Sequence, residues 1–390
     1  MVTLGAERFL AEIGSLSVGT RAVFLTHQAA VDRQGVTVLE RVRRARPDLV
    51  QAVWGPQHGF YGDRQANMIA SEDFADPLSG LPVHSLYGDS RQPTAEMLAG
   101  IDIILVDLVD VGCRVYTYIW TLFLVMQQAV VCGVKVVVLD RPNPIGGDLI
   151  EGNLLEPEYC SFVGLFPLPM RHGMTIGELA RYFQSFAGLD VELEVVPCAG
   201  WRRHDDIFHT GIFWVLPSPN MPTPMTARVY PGQVLLEGCN LSEGRGTTLP
   251  FELCGAPFIE PARLLAEIEP AAKAGAFLRP TWFTPTFDKW QGRLCGGLQI
   301  HVTEAEIFHP YLFTLALLAA VKRLYPDEFV WLEPPYEYEY EKLPIDILTG
   351  SPALRCGLEA GRSVAEMAAA WEAGLNDFRV RRESVLLYRD

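Results

Sequence analysis

The chain has 390 residues, of which 49% are hydrophobic and 20% charged. This composition is typical of a globular enzyme, and the length predicts two domains or one large domain with an appendage. The formal net charge of −15 argues against nucleic acid and anionic membrane surfaces as partners, since like charges repel. No run of about 18 apolar residues is present, so no membrane span is predicted.

The first 200 residues alternate between strand-like and helix-like patterns. Strands are predicted at residues 21–26, 50–54, 81–87, 101–108, 134–139 and 191–196, and helices at residues 37–46, 118–132 and 175–186. The third of these helices has a capping-box signature, in which Thr175 is followed by Glu178 three residues later. Strands that alternate with helices in this way predict an α/β domain with a parallel sheet and helices on both faces.

From about residue 231 the character of the sequence changes. A helix near 261–274, a strand at 298–302 and a helix near 310–324 are predicted among Pro- and Gly-rich turns. The Pro-rich segment 216–224 (LPSPNMPTP) is interpreted as an ordered connection that lines a cleft. We therefore divide the chain into domains at residues 1–230 and 231–390. The segment YEYEYE (336–341) is interpreted as a solvated strand or loop.

Polar segments follow three of the predicted strands. They are GPQHGFYGDRQ (55–65), DLVDVGCRVYTY (107–118) and DRPNPIGG (140–147). Ligands bind beyond the carboxyl ends of parallel strands, so these loops should converge on one edge of the sheet. The alternatives are an irregular solvated loop for the first, an internal Asp110–Arg114 pair for the second and a structural turn for the third.

Other candidates come from the segment EGCNLSEGRGTTLPFE (237–252), where carboxylates beside glycines can approach a ligand closely. No G-x-G-x-x-G follows the first strand, and no phosphate loop, H-E-x-x-H or G-x-S-x-G motif appears, so nucleotide cofactors are disfavoured. The histidines show no ligand spacing with carboxylates, so no metal is predicted. Eight scattered cysteines and the absence of a signal-like segment at residues 1–16 predict a cytoplasmic protein with free thiols.

The polar segments, together with PSPNMPTP, YPG and EGCNLSEGRGTTLPFEL, resemble the NamZ-type exo-β-N-acetylmuramidase family over roughly residues 20–390. The resemblance implies a Rossmann-like α/β domain and a smaller C-terminal α+β domain that closes a cleft. It also implies hydrolysis of a non-reducing terminal β-linked N-acetylmuramic acid from a small muropeptide, without a cofactor or metal.

One position departs from that family. Much of the family reads P-E-H-G where this chain has Pro56-Gln57-His58-Gly59, and an amide does not deliver a proton as a carboxylic acid does. Because glycoside hydrolysis normally uses two carboxyl groups, another carboxyl must take over, or the substrate differs, or the protein does not cleave. Glu72 or Asp73 is the hypothesised replacement.

The sequence thus predicts the following site. Asp110 and Glu243 are the expected catalytic carboxylates, with acid and base unassigned and with Glu72 as the further candidate. The expected substrate-binding residues are Gln57, His58, Asp63, Arg114, Tyr116, Asn143, His172, Asn220, Glu237 and Arg245. Two alternatives are a non-catalytic binder of muropeptides or amino sugars and a glycosidase with altered sugar specificity; the oligomeric state is not predicted.

Overall fold

The computed structural model describes residues 1–65, 68–69, 71–88 and 90–389. The strands are β1 (Ala22–Thr26), β2 (Val50–Gly55), β3 (Phe74–Ala75), β4 (Pro82–Ser85), β5 (Ile103–Asp107), β6 (Lys135–Leu139), β7 (Leu193–Val196), β8 (Leu253–Ala256), β9 (Ala276–Phe283) and β10 (Cys295–Val302). The helices are α1 (Gly5–Glu12), α2 (Val38–Ala45), α3 (Tyr118–Cys132), α4 (Ile176–Phe186), α5 (Ile207–Thr210), α6 (Pro224–Gln233), α7 (Pro261–Glu267), α8 (Pro310–Leu324), α9 (Pro344–Thr349), α10 (Ala353–Glu359) and α11 (Val364–Glu383).

The larger sheet has the strand order β3-β4-β2-β1-β5-β6-β7. Every pairing in it is parallel except that between β3 and β4. Strands β1 and β5 are buried along their whole length, as expected of apolar strands covered on both faces. The predicted parallel α/β architecture is therefore confirmed. Because β2 and β5 flank β1, the order of the strands reverses there and leaves a crevice at their carboxyl ends.

The second sheet is antiparallel, with the order β8-β10-β9. Its helical neighbours include α6 and α7, and α8 packs against both of these helices. One hydrophobic cluster joins side chains from both parts of the chain, for example Trp120 of α3 and Val234 beyond α6. The core itself therefore does not mark a boundary, and the division at residue 230 stays a prediction.

Several local predictions are confirmed. The observed bounds of α3 and α8 match the predicted helices, and Thr175 and Glu178 form the reciprocal capping bonds of α4. The Pro-rich connection ends earlier than predicted, because the Thr223 hydroxyl caps α6 and Pro224 occupies its first turn. All eight cysteines are free thiols. Of the helices within the described ranges, none is both long and apolar enough to cross a membrane.

Candidate functional site

Two adjoining cavities lie beyond the carboxyl ends of β2, β4 and β5. The inner cavity, of about 30 Å³, is lined by Gln57, His58, Val115, Tyr116, Thr117, Val163, Ser218, Asn220, Met221, Tyr230, Glu237, Arg245, Phe251, Tyr336 and Glu337. The outer cavity, of about 370 Å³, is lined by Gln65, Glu237, Glu243, Arg245, Phe287, Asp288, Lys289, Leu332 and Tyr336. Glu237, Arg245 and Tyr336 form the wall that both share. Loops of the larger sheet and segments after residue 230 thus build one cleft.

Gln57 enters the inner cavity from the loop that follows β2, and it is only 4% exposed. Its side-chain oxygen accepts a hydrogen bond from the hydroxyl of Thr117, which precedes α3. That bond turns the amide nitrogen toward Glu337, and Gln57 Nε2 donates to Glu337 Oε1 at 3.2 Å. The amide at position 57 therefore contacts a carboxyl group that comes from the far end of the chain.

Glu337 is 3% exposed and lies in the YEYEYE segment, whose sequence pattern predicts a solvated strand or loop. The Tyr87 hydroxyl, beyond β4, donates to Glu337 Oε2 at 2.7 Å. Burial raises the pKa of Glu337, and the nearby charge of Glu237 acts in the same direction. The solvated interpretation is wrong at this residue. Glu337 and Tyr338 both adopt left-handed backbone conformations, with φ of 45° and 66°, so the segment turns rather than extending as a strand.

Glu237 belongs to a short 3₁₀ turn, Val234–Gly238, and faces both cavities. Arg245 Nη2 donates to Glu237 Oε1 at 2.5 Å, and the Tyr336 hydroxyl donates to Glu237 Oε2 at 2.7 Å. Arg245 is held between Gly244 and Gly246, which have φ of 79° and 77°. A side chain at Gly246 would meet the Phe287 carbonyl oxygen at 2.5 Å, so the G-R-G sequence is required for this close approach.

Glu243 lines the outer cavity and is 1% exposed. Its carboxylate pairs with Lys289 Nζ at 2.6 Å and with Arg245 Nε at 3.2 Å. Burial opposes its charge, but the cations of Lys289 and Arg245 outweigh that effect and hold the pKa of Glu243 below its ordinary value. The cleft therefore contains one carboxyl group whose pKa is raised, Glu337, and another whose pKa is lowered, Glu243.

His58 is half-buried, and its Nδ1–H donates to the Arg64 carbonyl at 2.8 Å. Burial lowers the pKa of His58 to about 4, so the imidazole is neutral at physiological pH. His58 therefore lines the cleft as a neutral hydrogen-bonding group. Three aromatic rings supply apolar faces to the cavity. The Tyr230 ring makes edge-on contacts with Tyr116 and with Phe251, at centroid distances of 5.9 and 4.9 Å. Such faces suit the apolar side of a sugar ring.

The structure brings together seven of the residues expected at the site. They are Gln57, His58, Tyr116, Asn220, Glu237 and Arg245 at the inner cavity and Glu243 at the outer one. Six others, namely Asp63, Glu72, Asp110, Arg114, Asn143 and His172, line neither cavity.

Asp110 and His172 are buried against each other, with Asp110 Oδ2 3.2 Å from His172 Nε2. The Gly112 amide also donates to Asp110 Oδ2 at 2.8 Å, and the Met174 amide donates to His172 Nδ1 at 3.2 Å. The pair ties two loops together, so the expectation that Asp110 straddles the substrate with Glu243 is wrong in its geometry. The amide of Asn143 donates to the Met174 carbonyl at 2.9 Å and is likewise structural.

Arg114 is fully buried and lines neither cavity, and the partners of its guanidinium do not include Asp110. Its guanidinium donates to the carbonyls of Asn153, Leu168 and Leu348 at 3.0, 2.8 and 2.9 Å. These three acceptors come from separate segments, so Arg114 joins the sheet loops to α9 rather than serving the cleft.

The carboxyl groups expected to replace the acid at position 57 lie elsewhere. Glu72 is exposed, and Asp73 accepts hydrogen bonds from His84 at 2.6 Å and from the Ser85 amide at 2.9 Å. Asp63 is also exposed and lies 3.6 Å from the Arg64 guanidinium. These positions contradict the hypothesis that Glu72 or Asp73 folds back to Gln57. Residues 67 and 70 of the segment 67–73, and residue 66 just before it, lie outside the described ranges.

Sequence reasoning missed Glu337, Tyr87, Thr117 and Lys289. Tyr87 lies in the segment LYGDSRQ and Glu337 in YEYEYE, and in both segments aromatic residues stand near acidic ones. That signal does not distinguish a solvated run from a buried turn. Among the residues described, no group of three or more His, Cys, Asp or Glu side chains is placed to hold a metal ion.

Comparisons with known proteins find relatives over nearly the whole chain. Models described as the N-terminal and C-terminal parts of the exo-beta-N-acetylmuramidase NamZ match residues 22–225 and 228–388. A Bacillus subtilis (strain 168) protein named peptidoglycan beta-N-acetylmuramidase NamZ is 41% identical over 99% of this chain and 91% of its own length. Crystal structures of two DUF1343 family proteins from Bacteroides fragilis superpose over 100% of this chain and 99% of theirs. Their TM-scores are 0.89 and 0.77, at 31% and 27% identity.

Proposed function

Since the chain belongs to the NamZ family of exo-β-N-acetylmuramidases, we propose that it hydrolyses the bond joining a terminal β-linked N-acetylmuramic acid to a peptidoglycan fragment. The observation that carries this proposal is the cleft, where Glu237, Glu243 and Glu337 are buried beside Arg245. Glycosidases use two carboxyl groups in different protonation states, and the opposite pKa shifts of Glu337 and Glu243 support such a division in this cleft.

The cleft also matches the chemistry of the sugar. N-acetylmuramic acid carries a lactyl carboxylate and an acetamido group, and Arg245 and Lys289 are the cations that line the cavities. Asn220 and neutral His58 offer hydrogen bonds to the acetamido group, and Tyr116 offers a flat apolar face. Glu243, held ionised by its two cations, is the carboxylate that we propose stabilises the positive charge developing at the anomeric carbon or activates water.

A pair of chromogenic substrates tests the proposal. The protein should release the chromophore from a β-N-acetylmuramide and leave the matching β-N-acetylglucosaminide, which lacks only the lactyl group, largely intact. The Glu243→Gln variant should lower turnover by about two orders of magnitude or more, the scale of general acid–base effects. Release from neither substrate would refute hydrolysis, and preferential release from the glucosaminide would indicate altered sugar specificity.

A second function is a non-catalytic binder of muropeptides, which is favoured by the amide at Gln57 in place of a carboxylic acid. In that case the sugar would raise the melting temperature of the protein, while a muramic acid disaccharide would remain intact after prolonged incubation. Cleavage of the disaccharide into its two sugars would exclude the binder.

We propose further that the protein acts in the cytoplasm on imported wall fragments, as part of cell-wall turnover. The support is chemical, because eight free cysteines suit a reducing compartment. Cell fractionation with an antibody against the protein tests this location, and recovery with an exported marker protein would contradict it.

A further inference from the structure

We propose that Glu337 is the catalytic acid of this protein and that Gln57 and Tyr87 are positioning residues that hold its carboxyl group in the inner cavity. This assignment rests on the proposed hydrolysis of a β-glycosidic bond. It gives a role to a segment, YEYEYE, whose sequence suggested only a solvated surface, and it explains how a chain with glutamine at position 57 retains an acid.

The first support is the orientation of Gln57. The Thr117 hydroxyl donates to Gln57 Oε1, so the amide nitrogen faces Glu337 Oε1 at 3.2 Å. A glutamate at position 57 would instead place a second acceptor against Glu337, and the two carboxyl groups would have to share a proton. The glutamine removes that competition and leaves the acid proton to Glu337 alone.

The second support is that the carboxyl group is fixed from its other side. Tyr87 donates to Glu337 Oε2 at 2.7 Å, and the Tyr87 oxygen itself accepts a bond from the Met68 amide at 3.1 Å. Each carboxyl oxygen thus has one protein donor and keeps further hydrogen-bonding capacity, as a group that lines a cavity requires.

The third support is the backbone that carries Glu337. Two consecutive residues with positive φ, Glu337 and Tyr338, are strained and persist only where the surroundings fix them. The surroundings here include the Arg91 guanidinium, which stacks 4.0 Å from the centre of the Tyr338 ring. Strain of this kind is concentrated at functional sites, and here it directs a carboxyl group inward.

The fourth support is protonation. Burial is the largest influence and raises the pKa of Glu337, and the charge of Glu237 adds to it, while the bonds from Tyr87 and Gln57 and the charge of Arg91 oppose it. The pKa of Glu243 is shifted the other way. Two carboxyl groups whose pKa values are shifted in opposite directions by their environments are the pattern expected of an acid and its ionised partner.

In the proposed step, the O–H bond of Glu337 breaks and a new O–H bond forms on the glycosidic oxygen. The bond between the anomeric carbon and that oxygen breaks, and its electron pair stays with the departing oxygen. One water molecule supplies a hydroxyl to the anomeric carbon and a proton that returns the site to its starting state. No oxidant, metal or cofactor takes part in this balance.

The test compares two leaving groups in the Glu337→Gln variant. A sugar hydroxyl needs a proton to depart, whereas 2,4-dinitrophenolate departs without one. We expect turnover of a muramic acid–glucosamine disaccharide to fall by about 10²–10⁴-fold, with KM nearly unchanged. Turnover of the dinitrophenyl β-N-acetylmuramide should fall by less than about tenfold. Glu341→Gln, an exposed acid of the same segment, is the matched control and should behave as wild type with both substrates.

Equal loss with both substrates, or no loss with either, would overturn the acid role. If wild type cleaves neither substrate, the proposed function fails as well; if wild type is active and Glu337→Gln is normal, only this assignment fails. Should Glu337→Gln not fold, Tyr87→Phe decides. Removing that donor should move the basic limb of the kcat/KM profile to higher pH, and an unmoved limb would overturn the proposal.

Discussion

Replacing Gln57 with glutamate gives a sharp test of the contact between Gln57 and Glu337. The Gln57→Glu variant keeps the size of the side chain and its acceptance of the Thr117 hydroxyl bond. The change replaces the donor that faces Glu337 Oε1, at 3.2 Å, with a carboxyl oxygen. Because both groups are buried, the like charges have little water between them, and we expect the pair to retain one proton at neutral pH.

The magnitude follows from the distance. Two unit charges 3.2 Å apart repel by about 5 kcal/mol at an effective dielectric constant of about 20, so the pair holds a proton rather than ionising fully. In the unfolded chain both carboxyls lose their protons near the ordinary pKa of about 4.3. In wild type the Gln57 amide favours ionised Glu337, whereas a second carboxylate in the variant opposes ionisation, so the pair keeps its last proton to a higher pH than Glu337 of wild type does. Between those two pH values the folded variant holds one proton more than folded wild type and loses stability relative to it by about 1.4 kcal/mol per pH unit.

Urea unfolding of wild type and Gln57→Glu, followed by tryptophan fluorescence, measures this difference. Above the pH at which Glu337 of wild type loses its proton, the gap in unfolding free energy should widen by about 1.4 kcal/mol per pH unit, until the shared proton is lost. The double variant Gln57→Glu/Glu337→Gln is the control. It again has one carboxyl and one amide in contact, so it should return to the pH dependence of wild type.

Parallel curves for wild type and Gln57→Glu would refute this reasoning, because they would show that position 57 and Glu337 do not interact in the folded state. A double variant that keeps the steep pH dependence would refute it as well, since the dependence would then come from the introduced carboxyl group alone.

Three further predictions concern buried charges. Lys289→Met leaves the Glu243 carboxylate buried with one cation fewer and should lower the free energy of unfolding by about 3–5 kcal/mol. In the same urea titration, the double variant Lys289→Met/Glu243→Gln should recover most of that loss, because the buried charge is removed as well. Arg114→Met removes a hydrogen-bond donor from three buried backbone carbonyls and should lower the free energy of unfolding by about 3 kcal/mol or more, with unchanged kcat in the protein that remains folded. A loss of kcat without loss of stability would restore Arg114 to the site. Burial raises the pKa of Glu151 to about 7, so wild type should lose stability as pH rises from about 4.3 to about 7, and Glu151→Gln should remove that part of the decline; identical pH profiles would contradict the assignment.

Much of the fold was determined by local sequence. The apolar runs that became β1, β5 and β6 are short and bounded by polar residues, and α3 and α8 keep the limits that their patterns indicate. The rule that ligands bind beyond the carboxyl ends of parallel strands also located the cleft, since Gln57 and Tyr116 do line it. These features depend on interactions between residues close in sequence, or on a general property of parallel sheets.

The identity of the carboxyl groups in the cleft was decided only by the tertiary structure. Asp110 follows a strand, as expected of a site residue, yet it pairs with His172 and so connects two loops instead of lining the cleft. Glu337 sits among alternating acids that look alike in sequence, and two left-handed residues bury it while Glu341, four residues later, remains exposed. Whether a carboxyl group reaches a cavity depends on contacts with residues up to 280 positions away, as between Gln57 and Glu337, and no local pattern encodes such contacts.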